Sequence, residues 1–281
     1  CIPMEELADV SGYDAVMMYG RGLFLNDSQV AELEKAASKG TPIFTNSLRN
    51  FNFIINHNVS TEQQEVLAKY FQNTCRQNYR NALRYIREMA TPYKWGDHDY
   101  ELPFQLPKNL YYHLEYGKYF ETDGQLTDYL KKKHLYHENG RKVGLISGVS
   151  FPTEGNRAHV DTLIFRLTQA GFNVYPMTST GKAREKMIRS LHPDAMVYLP
   201  MGRLGNDSLI QWLHQENILL FMPFPLMQSH EEWLDVNKPV TGGTLTARVV
   251  IPEIDGGIAP LCISTLNENK EGYFLYTPEP E

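Results

Sequence analysis

Short apolar runs and amphipathic stretches alternate with unusual regularity through the second half of this 281-residue chain. Apolar runs near 142–147, 172–177, 195–199 and 218–222 read as strands, and the segments near 156–170, 181–191 and 206–216 carry helical periodicity. The runs are apolar at consecutive positions, so both faces of each strand are expected to be covered, which predicts a parallel sheet of about four strands between helices. Ligands of such sheets bind beyond the carboxyl ends of the strands. The loops 147–156, 178–181, 200–206 and 223–230 are therefore expected to converge on any site.

The first half holds a smaller unit of the same kind. Ala15-Val16-Met17-Met18-Tyr19 predicts a strand, Asn26 or Asp27 caps a helix that ends at Gly40-Thr41-Pro42, and Ile43-Phe44-Thr45 predicts a second strand. From Ser60 a single long helix is expected, with Val66, Leu67, Tyr70, Phe71, Cys75, Tyr79, Leu83 and Ile86 forming its apolar stripe. Residues 91–140 then lose periodicity around Pro92, Pro103, Pro107 and many tyrosines, apart from a short helix near 124–134. The expected fold is α/β: two Rossmann-like or flavodoxin-like units with parallel sheets covered by helices, joined by a Pro/Tyr-rich linker. The expected boundaries are 1–90, 91–140, 141–240 and a further segment at 241–281.

Composition narrows the partners. A hydrophobic content of 42% suffices for packed cores, and a net charge of −6 without any basic stripe argues against nucleic acid. No stretch reaches the roughly 20 apolar residues that cross a bilayer. Cys1, Cys75 and Cys262 form neither a Cys-x-x-Cys pair nor an even disulfide framework. The chain opens at Cys1 without a starting methionine, and is expected to be an excised piece of a longer polypeptide. No nucleotide-binding glycine motif and no nucleophile elbow occurs, so ATP would act through a partner and serine hydrolysis is discarded. The nine histidines form no His-x-x-x-His pair, and no metal ligands are assigned within the chain. Dispersed methionines are read as core packing.

Two segments carry candidate chemistry. In Arg248-Val249-Val250-Ile251-Pro252-Glu253-Ile254-Asp255-Gly256-Gly257 an apolar run stops at a proline, and Glu253 and Asp255 follow on a glycine-rich turn. Such carboxylates could accept protons or hold a divalent cation, and equally could cap the turn or pair with a basic residue. In Glu154-Gly155-Asn156-Arg157-Ala158-His159 a helix begins with Asn156, Arg157 and His159 near backbone N–H groups. An anion would suit that end; a simple cap, a solvated arginine and a paired histidine are the alternative.

With Lys142-Val143-Gly144-Leu145-Ile146-Ser147 before them, these two strings resemble the large subunit of the CobN and magnesium-chelatase family. Asn81-Ala82-Leu83-Arg84-Tyr85-Ile86, Gly117-Lys118-Tyr119-Phe120 and Leu126-Thr127-Asp128-Tyr129-Leu130 extend the similarity over roughly 75–265. The resemblance implies a tetrapyrrole-binding subunit that hosts insertion of cobalt or magnesium, or removal of iron in a branch linked to haem uptake. It implies that the metal and the tetrapyrrole are substrates, that ATP is used by AAA-type partner subunits, and that the setting is cytoplasmic, with a periplasmic or membrane-associated one as the alternative. Glu253 and Asp255 become candidates for the reaction, and Glu154, Asn156, Arg157 and His159 for the ligand. The chain departs from the family where Gly257 replaces a usual arginine, and at Phe151-Pro152-Thr153-Glu154. The reading from another class is a two-domain, periplasmic-receptor-like binder of small anions, which a short parent polypeptide would favour. A scaffold arm that docks partner subunits without binding any ligand is a third.

Overall fold

Capping chemistry fixes the first elements. In the computed structural model, which describes residues 6–20, 25–47, 56–73, 75–91, 99–147, 155–200, 202–258 and 260–279, strand β1 (Val16–Gly20) pairs in parallel with β2 (Ile43–Ser47). Helix α1 (Asp27–Ser38) crosses between them, opened by a capping box in which Asn26 and Gln29 exchange side-chain and backbone hydrogen bonds. Met18, Leu33, Ala36 and Ile43 form the small core beneath.

The single long helix expected from residue 60 is two helices, α2 (Thr61–Gln72) and α3 (Arg76–Ala90). The apolar stripe spans the break without recording it. Cys75, expected on that stripe, is the N-cap of α3, and its Sγ accepts from the Asn78 N–H at 3.4 Å. Asn78 is fully buried: its amide donates to the Asn73 and Phe104 carbonyls, both at 2.7 Å, and accepts from the Phe104 N–H at 2.8 Å. Those bonds use the carbonyl freed where α2 stops, which is why the break is tolerated inside the core.

The chain divides into two compact units, Cys1–Leu106 and Pro107–Glu281. The second contains most of the expected linker. Strands β3 (Leu110–Tyr112) and β4 (Tyr119–Phe120) and helix α4 (Asp123–Lys132) belong to it, and the tyrosines read as linker aromatics include Tyr111 and Tyr112, which are buried strand residues. After them β5 (Lys142–Ile146), α5 (Ala158–Gln169), β6 (Asn173–Thr178), α6 (Gly181–Leu191), β7 (Ala195–Tyr198), α7 (Asp207–Gln215) and β8 (Leu219–Phe221) alternate as expected. The six-stranded sheet runs β4-β3-β6-β5-β7-β8, with β6, β5, β7 and β8 parallel and the β3–β6 and β3–β4 pairs antiparallel. Alternate strand positions serve opposite faces. Val143, Leu145, Val174 and Val197 pack with Val160 and Ile164 of α5, while Ile146, Tyr175, Met177 and Met196 pack with the buried residues of α4, α6 and α7. At Gly144 a Cβ would lie 2.5 Å from Met196 Sδ, so a side chain there would require Met196 to move.

A three-stranded sheet completes this unit: β9 (Phe224–Pro225), then helix α8 (His230–Leu234), and after a further helix β10 (Cys262–Glu268) and β11 (Phe274–Pro278), in the order β11-β10-β9. The intervening segment corrects the sequence reading. Gly242–Leu245, Thr246–Val250 and Ile251–Ile254 run on as one helix, α9, with a π-helical turn at Thr246–Val250. The run Val249-Val250-Ile251 is therefore helical. Its proline sits in the first turn after the π segment, where helix geometry is already loosened, so the missing N–H costs little.

Candidate functional site

Helix α9 is amphipathic with its polarity reversed. Arg248, Pro252 and Asp255, at helical spacing, are buried, whereas Leu245, Val250 and Ile254 are exposed. Burying an arginine and an aspartate is unfavourable unless they are paired and hydrogen-bonded.

Arg248 is 6% exposed and donates through Nη1 to the Pro200 carbonyl, just beyond the carboxyl end of β7. Among the described residues it has no carboxylate partner. Burial holds its guanidinium below the ordinary arginine value, a trend opposed by Tyr276 and Tyr198. Asp255, 1% exposed, ends the helix and accepts from Arg203 Nε at 2.8 Å through Oδ1; Arg203 also reaches Asp207 at 2.6 Å. The second Asp255 oxygen is buried without a hydrogen-bond partner among the described residues. Glu253 is exposed. The two carboxylates thus face different surroundings, and Asp255 is committed to Arg203.

The glycines that follow close the helix. Gly256 adopts φ +77°, its N–H donates to the Glu253 carbonyl at 3.0 Å, and the Gly257 N–H donates to the Pro252 carbonyl at 2.9 Å, the pairing of a Schellman end. Ile258 then bridges to Phe221, exchanging hydrogen bonds with Leu220 and Met222 and fastening the motif to the edge of β8. A Cβ at Gly257 would approach Met222 Sδ to 2.5 Å, so a side chain here would require Met222 to move.

The helix opening at α5 is built differently from its sequence reading. Arg157 is buried and engaged: Nε meets Asp161 at 2.9 Å, Nη2 donates to the His113 carbonyl at 2.8 Å, and the guanidinium lies over the Tyr112 ring at 5.1 Å. It is the N-cap position of α5 and braces that helix against the end of β3. Asn156 accepts from the Tyr276 N–H at 2.8 Å, tying α5 to β11. His159 is buried against the Tyr276 ring, centroids 4.8 Å apart, and its Nδ1 is buried without a partner among the described residues. His113, also buried, has both ring nitrogens unpartnered among the described residues. Burial pushes both imidazoles down to about 4, with the charges of Arg157 beside His113 and Arg248 beside His159 adding to the effect. Both rings are neutral near pH 7. Glu154 lies outside the described residues.

Of the residues singled out in sequence, Asn156 and His159 thus border Tyr276, and Asp255 stands on the helix that carries Arg248. Sequence reading misses Arg248, Arg203, Tyr198 and Tyr276. The spacing of Arg248, Pro252 and Asp255 is helical, but taking the flanking aliphatics as the buried positions hides it.

The family model for CobN/Magnesium Chelatase matches residues 68–281. The chain belongs to the CobN/magnesium chelatase family. Its fold is similar to that of the catalytic subunit of cobaltochelatase from Mycobacterium tuberculosis, with a TM-score of 0.62 and 14% sequence identity. The match covers 95% of this chain and 22% of that one, so the chain spans less than a quarter of the neighbour's length. No curated protein sequence matches the chain. Among the described residues, no helix is long and apolar enough to cross a membrane.

Proposed function

We propose that this chain is the amino-terminal portion of the large, tetrapyrrole-binding subunit of a CobN-type chelatase, a ligase-class enzyme acting in the cytoplasm. The metal, cobalt, magnesium or iron, and the tetrapyrrole are its substrates, and ATP is used by AAA-type partners. The observation that carries the reading is α9, a helix of the family-matched region that turns charged residues inward at the carboxyl ends of the sheet strands and ends in the Glu253–Gly257 motif. In this reading Glu253, solvent-facing, takes the pyrrole protons displaced on metallation or relays the metal. Asp255 positions the turn through Arg203. The receptor-like alternative loses its support with the family assignment.

The test is metallation by the parent polypeptide with its ATPase partners, followed by the change in the visible bands when a free-base tetrapyrrole acquires a metal. Metallation, or demetallation of a haem, is expected. A parent protein inert with cobalt, magnesium and iron alike sinks the reading. Glu253→Gln should slow the exchange at least tenfold while moving stability by no more than about 0.5 kcal/mol, the usual range for exposed positions. Asp255→Asn should cost about 1–3 kcal/mol, because it weakens a buried, charge-assisted bond to Arg203. Chemical denaturation of the two variants separates the roles. The 281-residue chain alone should bind tetrapyrroles only weakly, since it supplies a fraction of the enclosing surface.

A further inference from the structure

Arg248 is a buried cation with spare donors. A guanidinium carries five N–H groups, and among the described residues the one hydrogen bond of Arg248 goes to the Pro200 carbonyl. It lies in a π-helical turn and has no anionic partner among those residues. Its Nε and Nη2 make no hydrogen bond among the described residues, which leaves two donor groups of a buried cation unused. The guanidinium of Arg157, also buried, is by contrast satisfied internally by Asp161 and the His113 carbonyl.

The surroundings select the anion. Tyr198 and Tyr276 lie near enough to Arg248 to favour its charge, and His159, whose buried Nδ1 has no partner among the described residues, packs on Tyr276. Two phenols and a neutral imidazole add polarity without a second full charge. A singly charged, planar carboxylate matches one arginine fork, whereas a phosphate would call for further cations. We propose that Arg248, with Tyr276 and His159 beside it, is a subsite for one carboxylate side chain of the tetrapyrrole, an assignment that rests on the chelatase reading.

The experiment uses the 281-residue chain and its Arg248→Met and Arg248→Lys variants, titrated by absorbance with uroporphyrin, which bears eight carboxylates, and with an uncharged polyhydroxylated porphyrin. Wild-type protein should bind uroporphyrin, weakly, and better than the uncharged porphyrin. Arg248→Met should raise the uroporphyrin Kd at least tenfold and leave the uncharged ligand unchanged; Arg248→Lys should fall between. The melting temperature of Arg248→Met should be unchanged or higher, because a desolvated cation without a counter-ion is replaced by an apolar chain of similar length. Acetate should compete with uroporphyrin, and inorganic phosphate should compete less well. Equal binding of the two porphyrins, no effect of Arg248→Met, no binding of uroporphyrin at all, stronger competition by phosphate, or a variant that loses affinity because it unfolds would each overturn the subsite. The chelatase reading stands or falls separately, on metallation by the parent protein.

Discussion

Acidification from about pH 6.5 to about pH 4 is expected to strip several kcal/mol from the stability of this protein, before most of its carboxylates are protonated. His113 and His159 are the cause. Their folded-state values lie near 4, and in the unfolded chain they return to about 6.5. Between these limits the unfolded state binds more protons than the folded one, so stability rises with pH across the window and is lost as pH falls through it. Each tenfold difference in proton affinity between the two states is worth about 1.4 kcal/mol, so at pH 5 each histidine removes on the order of 2 kcal/mol at most. Urea unfolding at pH 7 and pH 5 measures the loss. His113→Leu with His159→Leu should flatten the slope between the two pH values, and a slope that survives in the double variant would place its origin elsewhere. Asp9, Glu62 and Glu232, all held below their ordinary values by hydrogen bonds, contribute at more acidic pH.

Leu145→Ala is expected to cost about 3 kcal/mol. Leu145 is fully buried in β5, which pairs with β6 on one side and β7 on the other, and it packs in the same cluster as Val160 and Ile164 of α5. Truncation empties part of a layer held by strands on both sides, which cannot collapse to fill the void; such changes cost roughly 2–5 kcal/mol. Ile254→Ala is the contrast. It removes an aliphatic group of the same size, but Ile254 is 74% exposed on the outer face of α9, and the change should stay within about 0.5 kcal/mol. Matched denaturation curves decide. Equal costs at the two positions would mean that the α5 face of the sheet is not the packed layer described.

The parallel sheet is legible in the sequence because its strands are buried on both faces and its helices are amphipathic in the ordinary sense. Lys142–Ile146, Asn173–Thr178 and Ala195–Tyr198 fall almost where their apolar runs fall. Two places are not legible, for opposite reasons. The break between Gln72 and Arg76 is stabilised by Asn78 bonding to Phe104, a partner 26 residues away that no local pattern records. Helix α9 is hidden from the hydrophobic pattern because Leu245, Val250 and Ile254 are exposed while Arg248 and Asp255 are buried, so the apolar run does not mark its inner face. The site shares that fate. Asp255 and His159 are visible as residue types, but Arg157 looks available in the sequence while Asp161 and His113 occupy it, and Arg248 looks like no more than the polar edge of an apolar run.

Whether a tetrapyrrole meets this chain where α9 reaches the carboxyl end of β7 can be read from nuclear magnetic resonance of the labelled chain with added uroporphyrin. A macrocycle shifts the resonances of nuclei near its face strongly and locally, and weak binding does not obscure the effect. The largest shifts are expected at His159, Tyr198, Arg203, Arg248, Glu253 and Tyr276. Shifts confined to the first unit, or to the exposed face of α6 around Lys182 and Lys186, would place the ligand elsewhere and contradict the site.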